Sequence, residues 1–116
     1  WVAMSYAKVK NAYDIAKGEK LCCVISLGYG KTHGIPHKSK TAKEVAVIKE
    51  DTPKWFIDGV NAALLAPTAM NQQKFGFMLY GDKVIAKAGK GILTDIDLGI
   101  VKYHFEIGAD RKLFDL

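Results

Sequence analysis

The sequence predicts an α+β fold, and three observations carry that expectation. Apolar residues recur at helical spacing over 55–65 and again over 94–109. Two strand-like segments, 74–80 and 83–87, lie between them and are joined by Gly81-Asp82, a hairpin signal. A continuous apolar run, Leu-Cys-Cys-Val-Ile-Ser-Leu at 21–27, reads as a further, buried strand.

Taken in order, residues 4–16 place Tyr6, Val9, Tyr13 and Ile15 at roughly helical spacing, and Gly18 closes that helix. The 21–27 strand breaks at Gly28-Tyr29-Gly30, and a Gly- and Lys-rich loop is expected over 28–44. Loops this long inside a compact domain are uncommon and often functional. Thr52 is the expected N-cap of the next helix, with Pro53 at its first position. Trp55, Phe56, Val60, Ala63 and Leu64 form its apolar stripe, and it stops before Pro67. Thr94 opens the last helix, which runs to about Ala109.

The chain has 116 residues, enough for one modest core. Its 49% hydrophobic and 25% charged residues fit a soluble globular protein. No apolar run approaches the roughly 20 residues of a membrane span, and the start, Trp-Val-Ala-Met-Ser-Tyr, lacks a basic-then-apolar leader. A cytoplasmic location is therefore expected, with no membrane partner. A chain that starts at Trp1 rather than Met is expected to be a processed product or a fragment.

The net charge of +5 concentrates in residues 1–50, which hold nine Lys against four acids. Such a surface attracts phosphates and nucleic acid, or is simply a solvated lysine face. Arginine is the usual reader of base edges, and Arg111 stands alone, so sequence-specific DNA recognition is not expected. Adjacent Cys22 and Cys23 would point to opposite faces of a strand, which suits buried thiols in a reducing compartment.

Gly28-Tyr29-Gly30-Lys31-Thr32-His33-Gly34 imitates a nucleotide loop but misses the spacing. Its third Gly is one residue late for the dinucleotide fingerprint, and Ile25 stands where a P-loop needs Gly. No metal site is expected, because His33, His37 and His104 have no Cys or acid to complete a ligand set. His104 reads as a packed helix residue. Asp95 and Asp97, in the first turn of the last helix, favour its dipole but do not face each other as a catalytic pair.

Two segments suit a ligand. In an extended Lys38-Ser39-Lys40 both ammonium groups project to one side and could clasp a phosphate with the hydroxyl between them; an exposed basic loop is the plainer reading. Ala66-Pro67-Thr68-Ala69-Met70-Asn71-Gln72-Gln73 places polar groups at a helix-to-strand junction, where a bound polar ligand fits better than a core.

These segments, with two others, resemble the nitroreductase family. Trp1-Val2-Ala3-Met4 is similar to its Trp-x-Gly-Gly stretch beside the flavin ring, and Val24 to Gly30 to the core strand and Gly-Tyr turn that follow. Lys38-Ser39-Lys40 resembles its Lys-Ser-Arg phosphate clamp, and residues 62–75 its Pro-Ser-x-x-Asn-x-Gln flavin segment. Asp97-Leu98-Gly99-Ile100 and His104-Phe105-Glu106 resemble the closing helix of a branch in which two halves are fused in tandem.

In single-length relatives the flavin segment precedes the lysine clamp; here it follows. The resemblance thus implies that residues 1–50 end a first repeat and residues 51–116 begin a second, together part of one FMN-binding domain. It implies an incomplete nitroreductase-like fold, an antiparallel-rich sheet flanked by helices. A missing N-terminal portion or another copy of the chain would complete the site.

The resemblance also implies an FMN-dependent oxidoreductase that takes hydride from NAD(P)H and reduces a small nitroaromatic or quinone-type acceptor. Lys38, Ser39 and Lys40 would hold the phosphate. Thr68 and Asn71 would hydrogen-bond phosphate or ribityl oxygens, Pro67 would shape the turn, and the backbone near Val2 and Ala3 would lie by the ring. No catalytic acid or base is assigned.

Three departures stand out: Ala3-Met4 in place of the Gly pair, no Pro-Trp after Gln72-Gln73, and no counterpart of the family's early Arg-Ser-x-Arg segment. The first motivates a non-catalytic flavin-binding protein as the alternative. The basic charge leaves a small nucleic-acid-binding module as a third reading.

Overall fold

The computed structural model describes residues 14–21 and 28–115. The chain divides into two compact units, Trp1–Pro36 and His37–Leu116. In the first unit a turn closes where the Glu19 N–H donates to Ala16 O (3.1 Å), with Gly18 at φ +95°. Of the helix expected over 4–16, residues 4–13 lie outside the described part, and residues 14–16 are not helical. The expected 21–27 strand lies outside it too, apart from Leu21, which is in no strand.

The second unit runs α1 (Ala42–Val45), α2 (Lys54–Ala63), a 3₁₀ turn (Ala69–Asn71), β1 (Phe75–Tyr80), β2 (Lys83–Ala88) and α3 (Thr94–Ala109). The single turn α1, which overlaps the end of the 28–44 segment expected to be loop, starts at a capping box not expected from the sequence. The Glu44 carboxylate accepts both the N–H and the hydroxyl of Thr41 (2.7 Å each). Thr52 does not cap α2, contrary to expectation. Its hydroxyl accepts the Lys49 N–H (2.7 Å), and Pro53 occupies the N-cap position.

α2 buries Phe56, Gly59, Val60 and Ala63, an i, i+3, i+4, i+7 spacing that sets one face inward. α3 buries Asp97, Val101, Phe105, Glu106 and Ala109. The two helices approach closely because small residues lie between them. A Cβ on Gly59 would sit 2.8 Å from the Phe105 ring, and one on Gly108 would sit 2.7 Å from Asp58 O.

β1 and β2 pair antiparallel from Phe75↔Ala88 to Tyr80↔Lys83. Gly81, at φ +58°, takes the left-handed turn position that glycine fills without strain. Alternation along β1 sends Phe75 and Phe77 to the core. A one-residue parallel bridge, Ala46↔Phe77, extends the pairing on the far side of β1. Among the described residues the sheet is therefore a two-stranded hairpin with helices against it, consistent with α+β.

Phe105 is the centre of the core. It is fully buried, with ring centroids of Phe77, Phe56 and Phe114 at 4.6, 5.5 and 6.0 Å. Phe114 comes back to it because the chain reverses after α3. Asp110 takes φ +51°, and the Arg111 N–H donates to Glu106 O (3.2 Å). The buried Glu106 carboxylate then accepts the N–H groups of Leu113 (2.6 Å) and Phe114 (2.8 Å). No helix among the described residues is long and apolar enough to cross a membrane.

Candidate functional site

The end of α2 sets the site. Its last turn tightens to i−3 bonds (Leu65 N–H to Ala62 O, Ala66 N–H to Ala63 O), and Pro67 has no N–H to continue the helix. The carbonyl of Leu64 accepts His37 Nε2–H (3.0 Å) and the Ser39 hydroxyl (3.4 Å). The extended segment 37–41 is thereby moored to the helix end.

Gln73 fastens the other side of that segment. Its amide is 3% exposed and fully used. Oε1 accepts the Lys40 N–H (2.8 Å), while Nε2 donates to Lys38 O (2.7 Å) and Asn71 Oδ1 (2.8 Å). Asn71 Nδ2 also donates to Lys38 O (3.0 Å), and Lys40 Nζ donates to Gln73 O (2.9 Å). Side-chain amides here do what a neighbouring strand would do, pairing the backbone of 38–40 with the 71–73 loop.

The loop itself is bent sharply. Met70, Asn71 and Gln73 all take left-handed φ (53°, 51° and 45°). Asn tolerates this region, whereas Met and Gln each pay about 1–2 kcal/mol for it. The loop holds its shape through the Gln73 N–H on Thr68 Oγ1 (3.0 Å), the Ala69 N–H on Asp97 Oδ1 (2.8 Å) and Gln72 Nε2 on Asp97 Oδ2 (2.7 Å).

Lys38, Ser39, Lys40, Glu44, Asn71 and Gln73 line a hollow of about 320 Å³. Four of the eight expected cofactor contacts, Lys38, Ser39, Lys40 and Asn71, thus meet in one place. Thr68 is not on that surface; it is buried, with its hydroxyl turned to the Gln73 N–H. Pro67 is exposed at the turn behind it, and Val2 and Ala3 lie outside the described residues. Gln72 and Gln73 fall in the 66–73 segment expected to meet a ligand, but their amides bond the protein itself; Glu44 and Asp97 were not expected at the site. The amide-rich run 71–73 was the available signal for the two glutamines.

The donor set suits a phosphate. The Lys38 ammonium makes no hydrogen bond or ion pair among the described residues, and Lys40 spends one of its three protons on Gln73 O. The one carboxylate on the hollow, Glu44, is occupied by Thr41. Hydrogen bonds from the Thr41 N–H and hydroxyl, with a smaller contribution from the charge of Lys40, hold its pKa below the ordinary value. Among the described residues no three His, Cys, Asp or Glu side chains gather as a metal site.

No curated protein and no solved structure matches the chain. A family model described as "Putative TM nitroreductase" matches residues 1–109, nearly the whole sequence. That span takes in the lysine segment, the bent loop and α3, so the hollow between 38–40 and 71–73 is built within the matched region. The chain belongs to this nitroreductase family.

Proposed function

We propose that the chain is part of an FMN-dependent oxidoreductase, and that the hollow lined by Lys38, Ser39, Lys40 and Asn71 receives the flavin phosphate. The observation that carries this reading is the uncommitted Lys38 ammonium beside Lys40, on a segment fixed by Gln73 inside a nitroreductase family match. Lys38 and Lys40 neutralise the phosphate through charge-assisted hydrogen bonds. Asn71, whose Nδ2 keeps a second proton, donates to a phosphate or ribityl oxygen. Ser39 contributes once its long bond to Leu64 O yields. Thr68 and Pro67 act from behind by shaping the turn; the place of Val2 and Ala3 beside the ring rests on the family resemblance alone.

Bound flavin supplies the hydride chemistry, from NAD(P)H to a nitroaromatic or quinone-type acceptor. The protein's own residues bind and orient it. The fused-repeat arrangement, residues 1–50 ending one repeat and 51–116 opening the next, belongs to the same proposal. So do a completing N-terminal portion or second copy and a cytoplasmic location.

Purified protein loaded with FMN and mixed with NADPH or NADH tests the reading. Bleaching of the flavin absorption is expected, with loss of FMN retention in the Lys38→Ala/Lys40→Ala variant. Retained flavin that neither nicotinamide bleaches would leave a flavin-binding protein without this activity. Unchanged flavin content in the double variant would remove the phosphate assignment.

A further inference from the structure

Behind the bent loop lies a buried charge that the proposed chemistry does not use. Asp97 is 1% exposed, and a carboxylate so far from water requires hydrogen bonds to its charged form. Two of them come from the loop. The Ala69 N–H reaches Oδ1 at 2.8 Å and Gln72 Nε2 reaches Oδ2 at 2.7 Å. The same Gln72 nitrogen lies 2.7 Å from Ile92 O, so one amide ties the loop to α3 and to the connection before it.

These bonds land on either side of Met70 and Asn71, the consecutive left-handed residues. Backbone of that kind persists only when its surroundings over-determine it. Filling the core alone would be served by an apolar residue at 97; a carboxylate adds direction. Turning Asn71 and Gln73 toward Lys38 and Lys40 needs the chain to reverse at 70–71, and Asp97 grips the residue before that reversal and the one after it.

We infer that Asp97 is a positioning residue for the 69–73 loop: through Ala69 and Gln72 it fixes the left-handed 70–71 backbone that brings Asn71 and Gln73 into register with Lys38 and Lys40. Its link to cofactor binding rests on the flavin-phosphate reading of the hollow; its hold on the loop does not.

Two readouts on the purified protein separate these. The first is residue-resolved amide hydrogen exchange. In Asp97→Ala, exchange at Ala69, Asn71, Gln72 and Gln73 rises about tenfold or more, since hydrogen bonds to a charged group are lost. The Phe77 and Val101 amides change far less. Asp97→Asn, which can still accept from Ala69, shows a smaller rise. Gln72→Ala removes one tie without touching the carboxylate, and it reproduces part of the effect should Asp97→Ala fold poorly.

The second readout is the FMN dissociation constant. It rises about tenfold or more in Asp97→Ala, whereas the core variant Val101→Ala, compared at equal fraction folded, leaves it within about twofold. Unchanged loop exchange in both Asp97→Ala and Gln72→Ala would overturn the inference. An equal loss of FMN binding in Val101→Ala would reduce Asp97 to a contributor to general stability. Wild-type protein that takes up no FMN would sink the flavin reading, while the exchange pattern would still decide whether Asp97 sets the loop.

Discussion

The helical body of the second unit and the loop at 66–73 are held by different physics. The body is apolar: Phe56, Val60, Val101 and Phe105 are completely buried, and its rings interlock around Phe105. The loop puts only alanines, Ala66 and Ala69, into buried apolar positions. Three left-handed residues there are kept in place by hydrogen bonds that Thr68 and Asp97 accept and that the Gln73 side chain donates. Burial is non-directional and tolerates small shifts, whereas an amide network fixes orientation and fails one bond at a time. Stability should therefore be concentrated in the body, and ligand geometry in the loop.

Truncation of the central ring should show the largest effect. Phe105→Ala removes the shared partner of Phe56, Phe77 and Phe114 and should cost about 3–5 kcal/mol in denaturant unfolding. A cost below about 1 kcal/mol would mean that the body is not organised around this ring. A smaller and more local effect is expected for Gln73→Ala. It strands the Lys40 N–H and leaves Lys38 O with Asn71 Nδ2 alone, a loss of about 1–3 kcal/mol, and should speed amide exchange at Lys40 and Asn71 while Val101 stays protected. Equal loosening of both regions would erase the distinction between them.

The weakest expected effect is pH-dependent and lies in the body. The Leu113 and Phe114 N–H groups hold the Glu106 carboxyl below its ordinary 4.5, outweighing the upward push of burial, and Lys112 adds to the lowering. A lowered folded pKa means that the carboxylate contributes fully above about pH 4.5, and that this contribution is lost as pH falls through the folded value. Glu106→Gln should lower Tm at pH 7, and the gap to wild type should narrow below pH 4.5. A gap that is constant with pH would show that the ionised form adds nothing.

Much of the body was legible in the sequence because its signals are local. Spacing in 55–65, the Gly81-Asp82 turn and the 94–109 periodicity each describe contacts within a few residues, and α2, the hairpin and α3 stand where expected. Local reading failed where a competing partner was near at hand. Thr52 has the right identity for an N-cap, but the Lys49 N–H claims its hydroxyl.

The site was half legible. Lys38, Ser39, Lys40 and Asn71 do converge, yet the groups that make them converge act across 25 to 35 positions of sequence. Asp97 read as a dipole partner in the first turn of a helix, where it does stand; its carboxylate also accepts from Ala69 and Gln72. Gln73 stood out as part of the polar 66–73 segment and for the Pro-Trp that does not follow it. Nothing in spacing reveals that its amide takes the place of a strand, because that pairing exists only after 37–41 has docked on the end of α2.

The most direct test of the central claim compares FMN with riboflavin, which lacks the phosphate. Equilibrium titration of wild-type protein should give FMN binding at least about tenfold tighter than riboflavin binding, the order expected for two charge-assisted hydrogen bonds. In Lys38→Ala/Lys40→Ala the two ligands should bind alike. Equal affinities in wild type, or a preference for FMN that survives the double substitution, would contradict the assignment of this hollow to the flavin phosphate.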